Sequence, residues 1–378
     1  MSAQRIHIEP QILRWIIERR GLDVDDYCLR NDKFEKWLNG EQDPTFRQAE
    51  EFAKSNYVPM GYLYLNEPLI ETMPIPFFRS TKKKVENLNV MDTVKILAER
   101  QLWLSNYLRS ENLGNLDFVG SIATNMNVGL VASKMHEILD LPMDWAFSLQ
   151  TVDKAIKELT ERLEDVGCIV AFSSTVGFSN ARSIDVNDCR GFCLVDQHAP
   201  FIFVNSKDAK QAQLFTLAHE FAHILLGYSA GMGSNEGMQL GVKEDYCDRL
   251  AAVFLAPADL FIGMWKKTTG NIEALVRKFK ISRFVVARRA KELGLLKEDK
   301  YWDMINAWKA EPVVDVARKK GPVSFAVRAV RNTGRVFLVH VNNAVNNQKL
   351  LHREAYRLTG MKGDTFHSVV KSNYFLGV

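Results

Sequence analysis

Cysteine is scarce and irregularly placed. Five residues in a chain of 378 give no disulfide framework, and Cys189 and Cys193 stand apart from other candidate ligands. All five are expected to be reduced and packed. Long apolar runs are missing too: no segment reads as a membrane span, and the opening MSAQRIHIEP lacks the apolar core of a secretory leader. There is also no strong excess of one charge. The 49 Lys and Arg against 45 Asp and Glu leave a formal +4, too little to specify a nucleic acid or a lipid surface. These absences predict a cytoplasmic globular chain with no membrane partner. Its length allows two or three domains, and a composition of 47 % hydrophobic and 25 % charged residues allows an ample core.

What is present is His219-Glu220-Phe221-Ala222-His223, inside the run LFTLAHEFAHILLG. Two histidines four apart on a helix share one face, with Cβ atoms roughly 5–6 Å apart, so both imidazoles reach one metal ion. Glu220 then stands beside a metal-held water and can take its proton, the arrangement of a zinc peptidase. Phe215, Leu217, Ala218, Phe221, Ala222, Ile224, Leu225 and Leu226 surround these polar groups, which predicts a central helix. The plainer reading is a pair of satisfied histidines in a buried helix. It is the weaker one, because three such groups are costly there without a metal or several hydrogen-bond partners.

A third ligand is expected downstream. Glu244 follows in EDYCDRLAAVFLAP, whose Cys247, Leu250, Ala251 and Phe254 fall at helical spacing, with Pro257 ending the helix near Leu255 or Ala256. Asp248, four residues on, shares the side of Glu244 and is placed to accept the second ring N–H of a ligating histidine. Glu236 is the competing ligand. It lies in the glycine-rich SAGMGSNEGMQLG, a poor frame for a fixed coordination geometry.

FTLAHEFAHILLG, then ExxxD, then LAAVFLAP resembles the ImmA/IrrE-type metallopeptidases, a group within the zincins. Members read close to FTLAHELGHLLLH and E-x-x-A-N/D-x-F-A-A-x-x-L-M-P. The resemblance implies His219 and His223 as first and second ligands, Glu220 as base, Glu244 as third ligand and Asp248 at the Asn/Asp position. Departures are Cys247 for Ala, Leu250 for Phe and Ala256 for Met. It further implies a bound Zn2+ and a protein substrate or regulatory partner, commonly a transcriptional repressor. LHREAYRLTGMKGDTF, from Leu351 to Phe366, resembles a stretch of the long members of that family. In zincins an edge strand before the metal helix holds the substrate, and residues 200–205 are expected to form it. His198, just before, is a candidate catalytic group that would assist an oxyanion or a leaving group, or else cap a turn.

The first 65 residues resemble an Xre-type helix-turn-helix domain at Gly21-Leu22, Trp37, Gly40, Pro44 and Phe52-Ala53, with helices expected through Ile12–Ile17 and Phe46–Lys54. The spacing from Gly21 to Trp37 is about one helical turn shorter than usual. Nine acidic against four basic residues between Gly21 and Glu51 oppose phosphate binding. A scaffold or docking role is the stronger reading there.

Basic residues concentrate elsewhere. Between Arg277 and Lys291 there are seven Lys or Arg and no acid. Ser282 would cap a helix with Phe284, Val285, Ala287 and Leu293 inward, leaving Arg283, Arg288, Arg289 and Lys291 as candidate nucleic-acid contacts. DNA is thus a candidate partner through residues 277–291, and a solvated helix beside the active site is the equal alternative.

The expected architecture is α+β and mostly helical. A degenerate helix-turn-helix domain (1–65) is followed by a proline-containing linker and helical segment (66–150), a zincin-like core (151–262), a basic helical segment (263–300) and a C-terminal accessory domain (301–378). The function expected is a regulatory zinc endopeptidase that cuts a repressor, an antitoxin or a related partner. The alternative is a DNA-associated regulator or partner-binding protein that keeps the fold without proteolysis.

Overall fold

Pro10 has no amide proton to satisfy and a φ preset for a first helical turn, and α1 (Pro10–Arg19) starts on it. In this computed structural model, residues 4–78, 87–232, 241–311 and 324–372 are described. Glu236, with most of its glycine-rich stretch, lies outside them. The chain divides into two compact units: Met1–Pro74 with Lys82–Asp92, and Ile75–Thr81 with Thr93–Val378.

In the first unit α2 (Val24–Leu29) is capped by Asp23, which accepts the Asp26 amide at 3.0 Å. The seven-residue α3 (Asp32–Leu38) stops before Gly40, whose φ of +72° suits glycine. A reciprocal capping box, Thr45 with Gln48, starts α4 (Phe46–Ser55). The face repeating at Ile12, Leu13, Ile16 and Ile17 is fully buried, against Phe34, Ala49, Phe52 and Ala53. Arg19 joins Glu71 and Asp92 in a nearly buried ion pair cluster.

In the second unit β1 (Phe77–Phe78) precedes α5 (Leu88–Ser110), which enters this unit at Thr93, followed by α6 (Val128–Ile138) and α7 (Val152–Asp165). Four strands come next: β2 (Ile169–Ser173), β3 (Gly191–Leu194), β4 (Phe201–Asn205) and, beyond α8 (Lys210–Leu226), β5 (Ala230–Met232). The sheet order is β1-β5-β3-β4-β2. β4 runs parallel to β2 and antiparallel to β3, and β5 pairs antiparallel with β3. Residues 200–205 therefore do not form an edge. Both sides of β4 are taken by neighbours, so no backbone donors or acceptors remain there for a peptide.

The run of apolar residues on every side of α8 matches its position across β3 and β4, flanked by α7 and by α9 (Val242–Leu255). Gly227, at φ +69°, ends it, and a β-carbon there would stand 3.1 Å from the Gly120 Cα. Behind α9 follow α10 (Ala258–Lys267), α11 (Ile272–Phe279), α12 (Arg283–Glu292) and α13 (Glu298–Ala310). The patterns that compete beyond residue 323 resolve as helices: α14 (Phe325–Thr333) and α15 (Arg335–Asn346), separated by Gly334, then α16 (His352–Thr359) and α17 (Gly363–Val370). Buried Arg100 of α5 donates to the carbonyls of Leu358 at 2.9 Å and of Asn332 and Thr359 at 3.4 Å. It satisfies helix-terminal acceptors that would otherwise be orphaned. Among the described residues no helix is long and apolar enough to cross a membrane.

Candidate metal centre

Residues 219 and 223 are one helical turn apart on α8, and α9 crosses it so that residue 244 faces that turn. His219, His223 and Glu244 are about 1–2 % exposed. One donor atom from each lies within 4.8 Å of the other two. The Nε2 atoms of His219 and His223 are 3.0 Å apart, and they lie 3.4 and 3.1 Å from the two Glu244 carboxylate oxygens. At 3.1 Å Glu244 Oε1 and His223 Nε2 are still not aligned as a hydrogen bond, and Oε1 is a buried atom without such a partner. The donor atoms of the three side chains cluster, with the two Nε2 atoms within hydrogen-bond distance of each other. Two imidazole nitrogens and one carboxylate suit a divalent transition metal.

Protonation follows from the crowding. Burial lowers the His219 imidazole, but Asp248 and Glu244 override it and raise it to about 10. Burial would raise Glu244, yet the two histidines hold it at about 2. His223 is lowered, first by burial. Asp248 contributes from the next turn of α9, its Oδ1 3.0 Å from His219 Nδ1. The structure thus brings five of the sequence-derived residues together: His219, Glu220, His223, Glu244 and Asp248.

Glu220 lies on the sheet side of this cluster, against β3 and within electrostatic reach of His219 and Glu244. It is 1 % exposed, neither carboxylate oxygen has a hydrogen-bond partner, and burial pushes it up to about 8, with Glu244 and Asp248 adding to the rise. Beside it lie Gly191 and Cys193 of β3. The Cys193 thiol, raised by burial, donates to the Tyr228 carbonyl at 3.7 Å. Gly191 was not singled out by the sequence, although a glycine inside a strand signals close backbone approach.

His198 is placed elsewhere. It sits in the turn between β3 and β4 with its amide on Asp196 Oδ1 at 2.8 Å, and no hydrogen bond or ion pair found among the described residues links it to the metal-facing group. The four basic residues of α12 are engaged within the protein. Arg283 pairs with Glu311 at 2.6 Å, and Lys291 is hydrogen-bonded to Glu298. Arg289 is buried, donating through Nε to the Ala256 carbonyl at 3.0 Å. Arg288 reaches Asp245, Asp248 and Glu292. Phe284, expected to face inward, is 38 % exposed. Val286 takes the inward position in its place.

Comparison with curated proteins returns no match. Residues 333–372, which carry α15 to α17, match a domain of unknown function. Residues 180–291, which hold His219, Glu220, His223, Glu244 and Asp248, match a peptidase family model described as the IrrE N-terminal-like domain, and this match supports a place for that part of the chain among the ImmA/IrrE metallopeptidases.

Proposed function

We propose that the protein is a zinc-dependent endopeptidase that cuts a partner protein, a repressor, an antitoxin or a related regulator. The observation that carries this reading is the convergence of His219, His223 and Glu244 beside the unpartnered carboxyl of Glu220, all buried. His219, His223 and Glu244 would hold the ion, which when bound acidifies water and polarises a carbonyl. Glu220 accepts the proton of the attacking water and hands it to the departing amide nitrogen. Asp248 Oδ1, 3.0 Å from His219 Nδ1 but not aligned with it as a hydrogen bond, would favour electrostatically the ring orientation that turns Nε2 to the metal.

α8 lying across a mixed sheet, with Glu244 presented by the following helix, is the basis for reading a zincin-like core. The four short helices of the first unit are read as a degenerate Xre-like domain of the cytoplasmic long form. Its acidic character between Gly21 and Glu51 favours protein docking over duplex binding. The alternative, non-proteolytic action on DNA through residues 277–291, is weakened by the internal pairing of Arg283, Arg288, Arg289 and Lys291.

The test is to incubate the zinc-loaded chain with proteins that co-purify with it and map new termini by mass spectrometry, with Glu220→Gln in parallel. Cleavage by the parent and none by the variant supports the proposal. Equal cleavage by both removes Glu220 from the mechanism. A stable partner complex with no cleavage turns the reading toward binding.

A further inference from the structure

The metal-facing group has an outward connection that the peptidase reading alone does not use. Asp248 has two carboxylate oxygens with separate neighbours: Oδ1 is 3.0 Å from His219 Nδ1, and Oδ2 is 3.7 Å from Arg288 Nη1. The other terminal nitrogen of Arg288 is 3.5 Å from Asp245 Oδ1, and its Nε donates to Glu292 Oε1 at 3.2 Å. One guanidinium thus lies across two acids a turn apart on α9 while tied to its own helix α12. We infer that Arg288 is a positioning residue of the metal centre, holding Asp248 in the orientation in which Asp248 holds His219.

The physical argument is geometric. A carboxylate with one charged or polar neighbour turns about its Cβ–Cγ bond more freely than one flanked at both oxygens, as Asp248 is by ion-pair contacts at 3.0 and 3.7 Å rather than aligned hydrogen bonds. His219 presents Nε2 to the donor cluster only while Nδ1 faces Asp248, so play in Asp248 becomes play in a ligand. The planar fork of arginine matches a pair of carboxylates in a way that a lysine ammonium, a single point charge, does not. Charge acts in the same sense, because Glu244, Asp245 and Asp248 are close together on α9 and Arg288 faces two of them, Asp245 being shared with Arg249.

Arg289, next in the chain, clasps the far end of α9 through the Ala256 carbonyl. α12 therefore stays docked when Arg288 is changed, and the Arg288 side chain is itself 37 % exposed. The assignment rests on the metallopeptidase reading. It gives part of the basic segment a role inside the protein, and the family match, which runs to residue 291, takes in Arg288.

The test uses the full chain and zinc alone, with affinity read by competition against a chromophoric chelator. Arg288→Met should weaken zinc binding roughly tenfold, the low end of the loss seen when an outer partner of a ligating histidine is removed. Arg288→Lys should recover part of that loss. In an Asp248→Asn background, Arg288→Met should change affinity less than about twofold, because the residue it positions is already altered. A merely structural role would instead lower the melting temperature of the metal-free protein, add in full to Asp248→Asn, and give no recovery with Lys. Wild-type affinity in Arg288→Met, or full additivity, overturns the assignment alone. Failure of the parent to bind zinc at all overturns the metallopeptidase reading and this assignment with it.

Discussion

A β-carbon at Gly191 would stand 3.3 Å from Glu220 Oε1, with Thr216 Cγ2 at 2.3 Å and the Phe203 carbonyl at 2.8 Å. The strand can lie this close to α8 only because residue 191 has no side chain, and its tightest neighbour on α8 is Thr216, one turn before the proposed base. Gly191→Ala must push α8 away from β3 or turn Glu220 aside. Peptidase activity should fall at least tenfold, since displacements near 1 Å at a reacting group cost up to about a hundredfold. Zinc affinity should change little, because residue 191 meets none of the three donors. Steady-state kinetics with zinc titration checks both, and an Ala variant with parental turnover would show that the approach is not needed.

The basic helix α12 offers a second test. Arg289 donates to the Ala256 carbonyl, and His136 has Nε2 3.0 Å from the Phe254 carbonyl, so the two together close the C-terminus of α9. Removing the buried guanidinium leaves an acceptor unpaired. Arg289→Met should cost about 1–3 kcal/mol in urea denaturation while leaving retention on duplex DNA unchanged. A variant of parental stability with weakened, salt-sensitive DNA retention would return Arg289 to nucleic-acid contact.

Stability should also respond to pH through Glu164. Burial pushes its carboxyl up to about 7, although Arg335 lies at 2.9–3.0 Å. The folded form thus holds the proton more tightly than the unfolded chain. The resulting stability is fully present below the ordinary carboxyl range and is lost as pH rises through 7. Relative to Glu164→Gln, the parent should lose on the order of 3 kcal/mol between pH 4.5 and pH 8. Denaturation midpoints of both proteins across that range check the sign, and parallel profiles would contradict it.

The centre was legible because its chemistry is local. The i, i+4 spacing of His219 and His223, and the helical repeat of Cys247, Leu250, Ala251 and Phe254, carry their geometry in the sequence, and all four of the latter are fully buried. The cap of α12 by Ser282 was legible for the same reason. What depends on distant strands was not. β5 is an Ala-Gly-Met segment with no alternation to mark it, and its pairing with β3 cannot be read from spacing. Placing residues 200–205 at an edge failed for that reason, since strand order is a tertiary property. Leu102, which the sequence offers for core contact together with Val94, Leu97, Leu104 and Leu108, shows the limit within one helix: it lies roughly 140° around α5 from Leu97 at 100° per residue and is 64 % exposed. The link from Arg288 to Asp248 joins residues far apart in sequence, and nothing local announces it.

The most direct test is the zinc content of the purified, reconstituted chain, measured by elemental mass spectrometry beside Glu220→Gln and Glu244→Gln. His219, His223 and Glu244 as ligands and Glu220 as base require one zinc per chain in the parent, one in Glu220→Gln, and a sharply weakened site in Glu244→Gln. No zinc in the parent after reconstitution, or an undiminished site in Glu244→Gln, would contradict the account.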